Sequence, residues 1–452
     1  MNKQWRHIIQ FACIMTLLAV IMLQGFTHVV PTKPLSPYTD KVKVEKQKQD
    51  LSWNSYLDSS YQEYLAQQAR KSTGFREFFS RCHNQVVYNF FGEIANPNVV
   101  EAKCHEFFLK GNIDDVTGKL LKSRYGTVEK AKIDAQKNVQ KTLTLIDTFR
   151  QNGTQFLFVL CPTKPAVYPE YMPEAYKDSI SDFMLAEYYA QLFKENGIPH
   201  IDFYSYFKTI KNSFPYPLYT RTGSHWSEAT IPFVADSILR KLESLTDYRL
   251  PSIEVIDPNL SRDYSDQDGE LETHIDLLLP LCKPKVSRPV FALQDTIGKD
   301  RPNLLVVGDG YFVPLQGSCF VNAFNRWDFW LYNQTSISSQ LELNWKHLNQ
   351  LFGAAETLKQ ADIVIALYTS NYLLNYMSGF TQSALELYAN NRTHEQEAIL
   401  SIMESIKKDP DWFGVIQQQA QERGISVEEN LWLNAAYVFQ MQNNEQDNNN
   451  QP

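Results

Sequence analysis

The sequence predicts an α/β fold in which helices cover both faces of a parallel sheet, giving three layers. The first observation is a set of apolar runs, each of the length of one buried strand. These runs span residues 154–161, 304–307 and 361–368. The second observation is that helical patterns alternate with the strand-like runs over about residues 150–380. Such alternation is typical of strands joined by helical crossovers in a parallel sheet.

Composition excludes some classes of function. The chain has 452 residues and a formal net charge of −8, so no overall basic charge favours a nucleic-acid partner. None of the six cysteines has a metal-type spacing. We therefore expect neither a nucleic-acid partner nor a metal, and no motif in the sequence indicates a cofactor.

The N-terminus predicts a membrane anchor. Lys3 and Arg6 precede a mostly apolar run over residues 8–26, and about 20 such residues suffice to span a bilayer. A cleaved signal peptide is the alternative, but no small-x-small cleavage site follows the run. The two cations favour a single-pass inner-membrane protein whose large domain lies in the periplasm.

Composition and periodicity divide the chain into segments. We expect an anchor over 1–28, a polar linker over 29–52 and a helical segment over 53–119. The α/β domain is expected over 120–385, interrupted by a solvated acidic insertion over 246–300. A helical appendage over 386–439 and a disordered tail rich in Asn and Gln over 440–452 complete the chain.

The pairing of the cysteines is open. Cys82 and Cys104 flank one N-terminal segment and would pair in an oxidising periplasm, but buried free thiols fit the sequence equally well. Five cysteines lie outside the membrane run, so at least one remains unpaired within the chain.

The run at 304–307 ends in a sharp turn, Gly308-Asp309-Gly310. Glycines permit a tight strand-to-helix turn, and ligands of open α/β sheets bind where such strands end. The arrangement is typical of a nucleophile elbow, in which the turn lifts one side chain out of the sheet. Gly310 occupies the position of that side chain and has none.

A second candidate site lies in the loop 219–227, just before a predicted helix. It contains Gly223, His225 and Trp226. A lone histidine is most often structural, but an imidazole with a near-neutral pKa suits a general base for a hydroxyl nucleophile. Its usual partners are that hydroxyl and a carboxylate that orients the ring.

The order of these blocks resembles the SGNH hydrolase-like proteins of bacterial exopolysaccharide O-acetylation, the AlgX/AlgJ type. In that family a histidine block precedes a Gly-Asp-Ser block, as His225 precedes Gly308 here. Further blocks carry the resemblance to the branch common in Bacteroidetes-type genomes, and it spans about residues 70–385. They are Gly74-Phe75-Arg76-Glu77-Phe78-Phe79, Pro162-Thr163-Lys164, Phe329-Trp330-Leu331-Tyr332-Asn333 and Ala361-Asp362-Ile363-Val364-Ile365.

The resemblance implies a Rossmann-like SGNH core and a set of roles that this chain fills only in part. In the family the serine takes the acetyl group, the histidine is its base, and an aspartate two residues earlier orients the imidazole. His225 matches the base, but Gly310 stands at the serine and Gly223 at the aspartate. Asp202 or Glu228 are the carboxylates that we expect to replace the missing aspartate.

Two functions follow from the resemblance. In the first, the catalytic site is degenerate, and the protein binds an envelope polysaccharide or a partner such as a membrane-bound O-acyltransferase. In the second, it remains an acetyltransferase or acetylesterase with a different nucleophile. The backbone N–H groups of Gly310 and Tyr311 suit an oxyanion, and Lys164 suits an anionic sugar. The residues that we expect to face a substrate are Gly308, Tyr311, Trp226, Asn371 and Lys164.

Overall fold

The computed structural model describes residues 3–37, 39, 50–177, 179–338, 346–347 and 353–449. In this part of the chain seven strands form one central sheet. In chain order the strands are β1 Gln155–Cys161, β2 His200–Asp202, β3 Leu304–Gly308, β4 Trp327–Leu331, β5 Thr335–Ser338, β6 Lys346–His347 and β7 Ile363–Thr369. Their spatial order in the sheet is β6-β5-β4-β3-β7-β1-β2.

The central five strands confirm the predicted parallel sheet, whereas the β5–β6 edge makes it a mixed one. Strands β4, β3, β7, β1 and β2 pair in parallel, but β5 is antiparallel to β4 and to β6. The cause is the short connection from Leu331 to Thr335, which includes Tyr332 and Asn333 at φ 52° and 54°. A connection this short joins antiparallel neighbours, since a parallel pair requires a crossover of a dozen residues or more.

Side chains of the central strands alternate between two hydrophobic layers. In β1, Phe156 and Phe158 face one layer, and Leu157 and Val159 face the other. The first layer includes the helices Val128–Gln151, Leu185–Glu195 and Phe380–Asn390, and the second includes Phe203–Ile210 and Ile231–Leu245. Because both faces are covered, the strands read as continuous apolar runs, and the predicted three layers are confirmed.

Shorter elements surround this core. Three two-stranded ribbons pair Val99–Glu101 with Phe107–Leu109, Ser252–Asp257 with Val290–Gln294, and Leu260–Ser261 with Val286–Ser287. The remaining α-helices are Lys3–Thr27, Trp53–Leu57, Ser60–Lys71, Arg76–Phe91, Lys110–Val116, Lys119–Tyr125, Lys164–Val167, Glu174–Lys177, Glu270–Thr273, Val313–Gln316, Ala354–Lys359, His394–Lys408, Pro410–Arg423 and Val427–Asn449.

The N-terminal run forms one helix, Lys3–Thr27. Within it, the 24 residues Gln4–Thr27 are long and apolar enough to cross a bilayer, a property that a signal sequence near the N-terminus shares. All six cysteines of the chain are free, so Cys82 and Cys104 do not pair.

Part of the acidic insertion, around residues 268–276, is packed against the rest of the chain. Leu271 and Ile275 are buried together with Phe107, and the carboxylates of Asp268 and Asp276 are buried as well. Asp276 forms an ion pair with Arg81, at 2.6 Å. Asp276 tolerates this burial because it binds Arg81 and accepts from the N–H of Ser36, whereas burial raises the pKa of Asp268 to about 7.

The C-terminal tail also differs from expectation. The helix Val427–Asn449 continues through residues 440–449, where the sequence predicted disorder. Its earlier part packs through Leu431 and Ala435 against the two preceding helices. Helical hydrogen bonding propagates onward from the packed turns, since adding a residue to an existing helix requires no new nucleation. Residues 450–452, and positions 38 and 40–49 of the linker, lie outside the described residues.

Candidate active site

The two loops singled out in the sequence meet at the carboxyl end of β3. A Cβ atom built on Gly310 would lie 3.1 Å from Nε2 of His225. The histidine side chain is 25% exposed, and the position that a side chain at residue 310 would occupy lies beside its Nε2. A nucleophilic hydroxyl at residue 310 would therefore stand within hydrogen-bonding reach of the histidine.

The turn is held by close backbone packing and by one buried carboxylate. At Gly308, a Cβ would lie 2.4 Å from the carbonyl oxygen of Leu367 in the neighbouring β7, so only glycine fits there. Asp309 accepts hydrogen bonds from the backbone N–H of Tyr311, at 3.0 Å, and of Thr369, at 2.7 Å. Burial raises the pKa of Asp309, and the hydrogen bonds from Thr369 oppose that rise. Asp309 is thus a clamp between the turn and β7.

The partner of His225 is Glu270, which the sequence analysis did not identify. Its Oε2 lies 2.8 Å from Nδ1 of His225. The hydroxyl of Ser224 also donates to Glu270 and lies 3.2 Å from the same ring nitrogen. A carboxylate at Nδ1 leaves Nε2 facing the open space and fixes the ring, as in a catalytic triad.

The charges of this pair stabilise one another. Burial alone lowers the pKa of His225, but the hydrogen bond and charge of Glu270 outweigh it and raise the pKa above its usual value. Burial has the opposite effect on the carboxyl group of Glu270 and raises its pKa. The hydrogen bond to His225 outweighs burial, so the pKa of Glu270 is lowered. Both shifts favour an imidazolium–carboxylate pair over the neutral pair.

Glu270 is placed by the acidic insertion, which hydrogen-bonds to the histidine loop. The hydroxyls of Thr220 and Thr222 donate to the carbonyl oxygen of Asp268, at 2.7 and 2.9 Å. The N–H of Leu271 donates to the carbonyl oxygen of Thr222, at 2.8 Å. Glu270 lies between these two attachment points, so its carboxylate is directed at the histidine.

The same contacts explain why residue 223 is glycine. A Cβ at Gly223 would lie 2.6 Å from the hydroxyl oxygen of Thr220 and 3.2 Å from the carbonyl oxygen of Gln267. An aspartate at this position, as in the family pattern, would displace the insertion. Glu270 supplies the orienting carboxylate from the other side instead.

The two substitutes that the sequence suggested for this carboxylate are wrong. Asp202 caps the helix that follows it by accepting from the N–H of Ser205 at 2.9 Å. Glu228 forms an ion pair with Arg288 at 2.9 Å. Neither carboxylate contacts His225.

Trp226 and Tyr311 pack against each other, and Tyr311 is hydrogen-bonded to the histidine loop. Trp226 is fully buried and packs edge-on against the Tyr311 ring, with centroids 5.1 Å apart. The Tyr311 hydroxyl donates to the carbonyl oxygen of Ser224 at 3.0 Å. Both aromatic residues therefore position the histidine loop, and the buried indole of Trp226 does not form a wall of the open space.

The donors expected for an oxyanion are largely engaged. The N–H of Tyr311 is bound by Asp309, and the side-chain amide of Asn371 donates to Asn112 at 3.1 Å. Burial raises the pKa of the Tyr332 hydroxyl, and the nearby N–H of Gly310 opposes that rise. A ligand oxygen would reach the Gly310 amide by replacing that hydroxyl.

Lys164 was expected to face a substrate, but the structure buries it. Its ammonium forms an ion pair with Glu106 at 2.8 Å. It also donates to the carbonyl oxygens of Phe107, Thr220 and Arg221. Burial lowers the pKa of Lys164 to about 8, while the charge of Glu106 favours the ammonium form. Lys164 therefore fixes the start of the histidine loop.

Two tyrosines at the site were not predicted. The rings of Tyr332 and Tyr372 lie 5.0 Å apart, and their hydroxyls are 3.2 Å from one another. Tyr332 directly follows β4, which pairs with β3, so strand order brings it to the glycine turn. The block at 329–333 was recognised in the sequence, but only the register of β4 against β3 reveals its place.

The site has the oriented histidine of an acyl-transfer centre, but it lacks the nucleophile, and most of the expected oxyanion donors are engaged. His225 is oriented by Glu270, and the turn at Gly310 presents an open position to Nε2. The hydroxyl of Ser224 is near the ring only at Nδ1, where Glu270 already binds it. Among the described residues, no group of three or more His, Cys, Asp or Glu side chains could hold a metal ion.

Comparison with known proteins agrees with this geometry. Residues 121–255 match the family model "SGNH hydrolase-like domain, acetyltransferase AlgX". The match includes the His225 loop and ends before the glycine turn. The chain therefore carries an SGNH hydrolase-like α/β domain. Residues 121–255 are therefore similar to the AlgX/AlgJ type that the order of the sequence blocks indicated.

Several solved structures are similar to the chain. The O-acetyltransferase domain of Pseudomonas putida AlgJ is 16% identical over 64% of this chain and 99% of its own, with a TM-score of 0.39. Pseudomonas aeruginosa AlgX is 15% identical over 68% of this chain and 70% of its own, with a TM-score of 0.43. Bacillus cereus PatB1 with a sulfonyl adduct is 12% identical over 55% and 93%, with a TM-score of 0.33. No curated protein matches the chain in a sequence search.

Proposed function

We propose that this protein is a catalytically degenerate member of a cell-envelope polysaccharide O-acetylation system that binds the glycan or a partner. The observation that carries the proposal is Gly310. It stands at the open position in front of His225 and has no hydroxyl to accept an acetyl group. Loss of the nucleophile from such a site removes nearly all of the rate enhancement and leaves binding and electrostatic contributions.

Continued activity with another nucleophile is the second candidate function. The intact His225–Glu270 pair favours it, because an oriented imidazole would activate a water molecule or a hydroxyl of the substrate. We rank it below binding because the hydroxyl of Ser224 is buried on the wrong side of the ring.

A glycan fits the surroundings of the open position. Tyr332 and Tyr372 place two aromatic rings beside Gly310, with Tyr372 36% exposed. Tyrosine combines an apolar ring face with a hydrogen-bonding hydroxyl, a combination that suits the mixed surface of a sugar. Acetyl groups on the glycan would reach the N–H of Gly310 and Nε2 of His225.

We expect the full-length protein to bind polysaccharide extracted from the producing cells, and Tyr372→Ala to weaken that binding about tenfold. A tenfold loss is the size of one aromatic contact, about 1.4 kcal/mol. Binding is measured by affinity electrophoresis with native and alkali-deacetylated glycan. Tyr437→Ala, which removes an exposed tyrosine in the C-terminal helix, is the control. Absence of binding to either glycan would contradict the glycan role and leave partner binding.

The apolar helix Lys3–Thr27 is proposed as an inner-membrane anchor that holds residues 31–452 in the periplasm. There the protein would meet a membrane-bound O-acyltransferase. Protease added to spheroplasts should then digest the large domain while the protein sediments with membranes. A soluble protein that lacks the first 28 residues would instead show that the run is a cleaved signal peptide.

A further inference from the structure

The helix Arg76–Phe91 is amphipathic, but its polar and apolar faces are reversed relative to those of a surface helix in a soluble protein. Residues at spacings of three and four lie on one helical face. The face that contacts the rest of the chain is polar, and the face turned away from it is apolar. In a water-soluble helix the apolar stripe faces the core.

The inner face consists of Glu77, Arg81, Asn84 and Tyr88, and every one of them is hydrogen-bonded. Glu77 accepts from the hydroxyl of Thr32, at 3.0 Å. Arg81 donates to the carbonyl oxygens of Lys33 and Pro34 and binds the buried Asp276. Asn84 donates to the carbonyl oxygen of Asp276, and Tyr88 to Glu101. These contacts fix the rotation of the helix about its axis.

The outer face consists of Phe79, His83, Val86 and Phe90, which follow the same spacing. Phe79, Val86 and Phe90 are 46%, 52% and 79% exposed. Leu279, which is joined to the helix through its N–H bond to Gln85, is 62% exposed. Together these residues form an apolar surface without a cover in the described part of the chain.

The position of this helix relative to the proposed anchor indicates what covers it. A Cβ on Gly74 would lie 2.2 Å from the carbonyl oxygen of Ile21, and one on Gly25 would lie 1.9 Å from that of Ser72. The two backbones are therefore in direct contact. Ile21 precedes Thr27, the last residue of the anchor helix, by six residues, or about 9 Å of helix. The helix Arg76–Phe91 consequently begins at the level where the anchor leaves the bilayer.

We infer that the helix Arg76–Phe91 lies in the lipid headgroup region with its outer face in contact with acyl chains. Amphipathic helices bind membranes in this way, with the apolar face about 5–10 Å below the interface. The polar inner face then connects the membrane surface, through Arg81 and Asp276, to the insertion that carries Glu270. The inference rests on the proposed anchor for its depth in the bilayer, and on the inverted pattern for its orientation.

The test uses the full-length chain with the photoreactive amino acid p-benzoylphenylalanine at position 79 or 90. Exposed Tyr437 is replaced in the same way as a matched control. The protein is reconstituted into vesicles of phosphatidylethanolamine and phosphatidylglycerol, irradiated, and weighed by mass spectrometry. We expect lipid adducts at both 79 and 90, at least about tenfold above those at 437.

Two outcomes would overturn the inference. Adducts at 90 no higher than at 437 would place the outer face in water. Irradiation of native membranes that yields a polypeptide adduct at 79 and 90 would show that a protein covers the face. Cleavage of residues 1–28 in cells would refute the anchor. The reconstituted full-length chain would still show whether the outer face of the helix Arg76–Phe91 contacts lipid.

Discussion

Replacing Gly310 by serine is expected to create esterase activity. Gly310→Ser should hydrolyse p-nitrophenyl acetate about 10²-fold faster than wild type, a small part of the roughly 10⁶-fold that a nucleophile contributes in subtilisin. The reason is geometric, since the new Cβ would lie 3.1 Å from Nε2 of His225. The ring has to yield by a few tenths of an ångström, and residue 310 has no left-handed backbone that would disfavour serine.

The activity of this variant should depend on Glu270 and not on a restored aspartate. Adding Glu270→Gln should remove the whole gain of about 10²-fold, because the corresponding change in a serine protease costs about 10⁴. Adding Gly223→Asp should reduce it also, since the new side chain collides with Thr220. An inactive but folded Gly310→Ser protein, or one improved by Gly223→Asp, would show that the site has been described wrongly.

The pH dependence supplies an internal check on the same variant. Because Glu270 raises the pKa of His225, the base is protonated to a higher pH than an isolated histidine. The rate should therefore rise with pH through a pKa above the usual 6.5. In the Glu270→Gln variant the His225 imidazole, followed by NMR, should titrate at lower pH, because the charge that stabilises the imidazolium is gone.

Replacing Lys164 should destabilise the fold and not merely weaken binding. Lys164→Met preserves the length of the side chain but leaves Glu106 and three carbonyl oxygens buried without their cation. Breaking a buried pair in this way costs about 3–5 kcal/mol. Lys407→Met, which removes an exposed ion pair to Glu404, is the control and should cost about 1 kcal/mol or less.

Urea denaturation followed by circular dichroism measures both changes. If Lys164→Met unfolds at the same urea concentration as wild type but loses glycan binding, the original expectation of a substrate contact would be correct. Equal losses in the free energy of unfolding for both lysine variants would mean that burial does not increase the contribution of Lys164 to stability.

The sequence was sufficient to predict the central parallel strands and two of the site residues, Gly310 and His225. Apolar runs identified the central strands because both sheet faces are covered. The glycine turn and the His225 loop were each recognisable locally, and parallel strands bring their carboxyl ends to one edge. Nothing local distinguishes Glu270, which is 45 residues from His225 in the chain and one of several acidic residues in the insertion. Its role depends on hydrogen bonds between backbone segments.

The wrong expectation for Lys164 has the same origin. Lys164 follows a strand and precedes a turn, which favours exposure, but Glu106 and three carbonyl oxygens converge on it only in the folded chain. Tertiary contacts therefore decided the place of Lys164. The antiparallel β5 edge has a different cause, the short connection at Tyr332, and this turn also brings the N–H of Tyr332 to the carbonyl oxygen of Gly308.

The most direct test of the central claim is the acetyl-ester turnover of the wild-type protein beside a His225→Ala variant. Full-length protein is given p-nitrophenyl acetate and O-acetylated polysaccharide from the producing cells, and released nitrophenol and acetate are measured. The account predicts equal rates for the two proteins, because Gly310 offers His225 no hydroxyl to activate. Turnover by wild type that disappears in His225→Ala would contradict it and would reveal a working nucleophile.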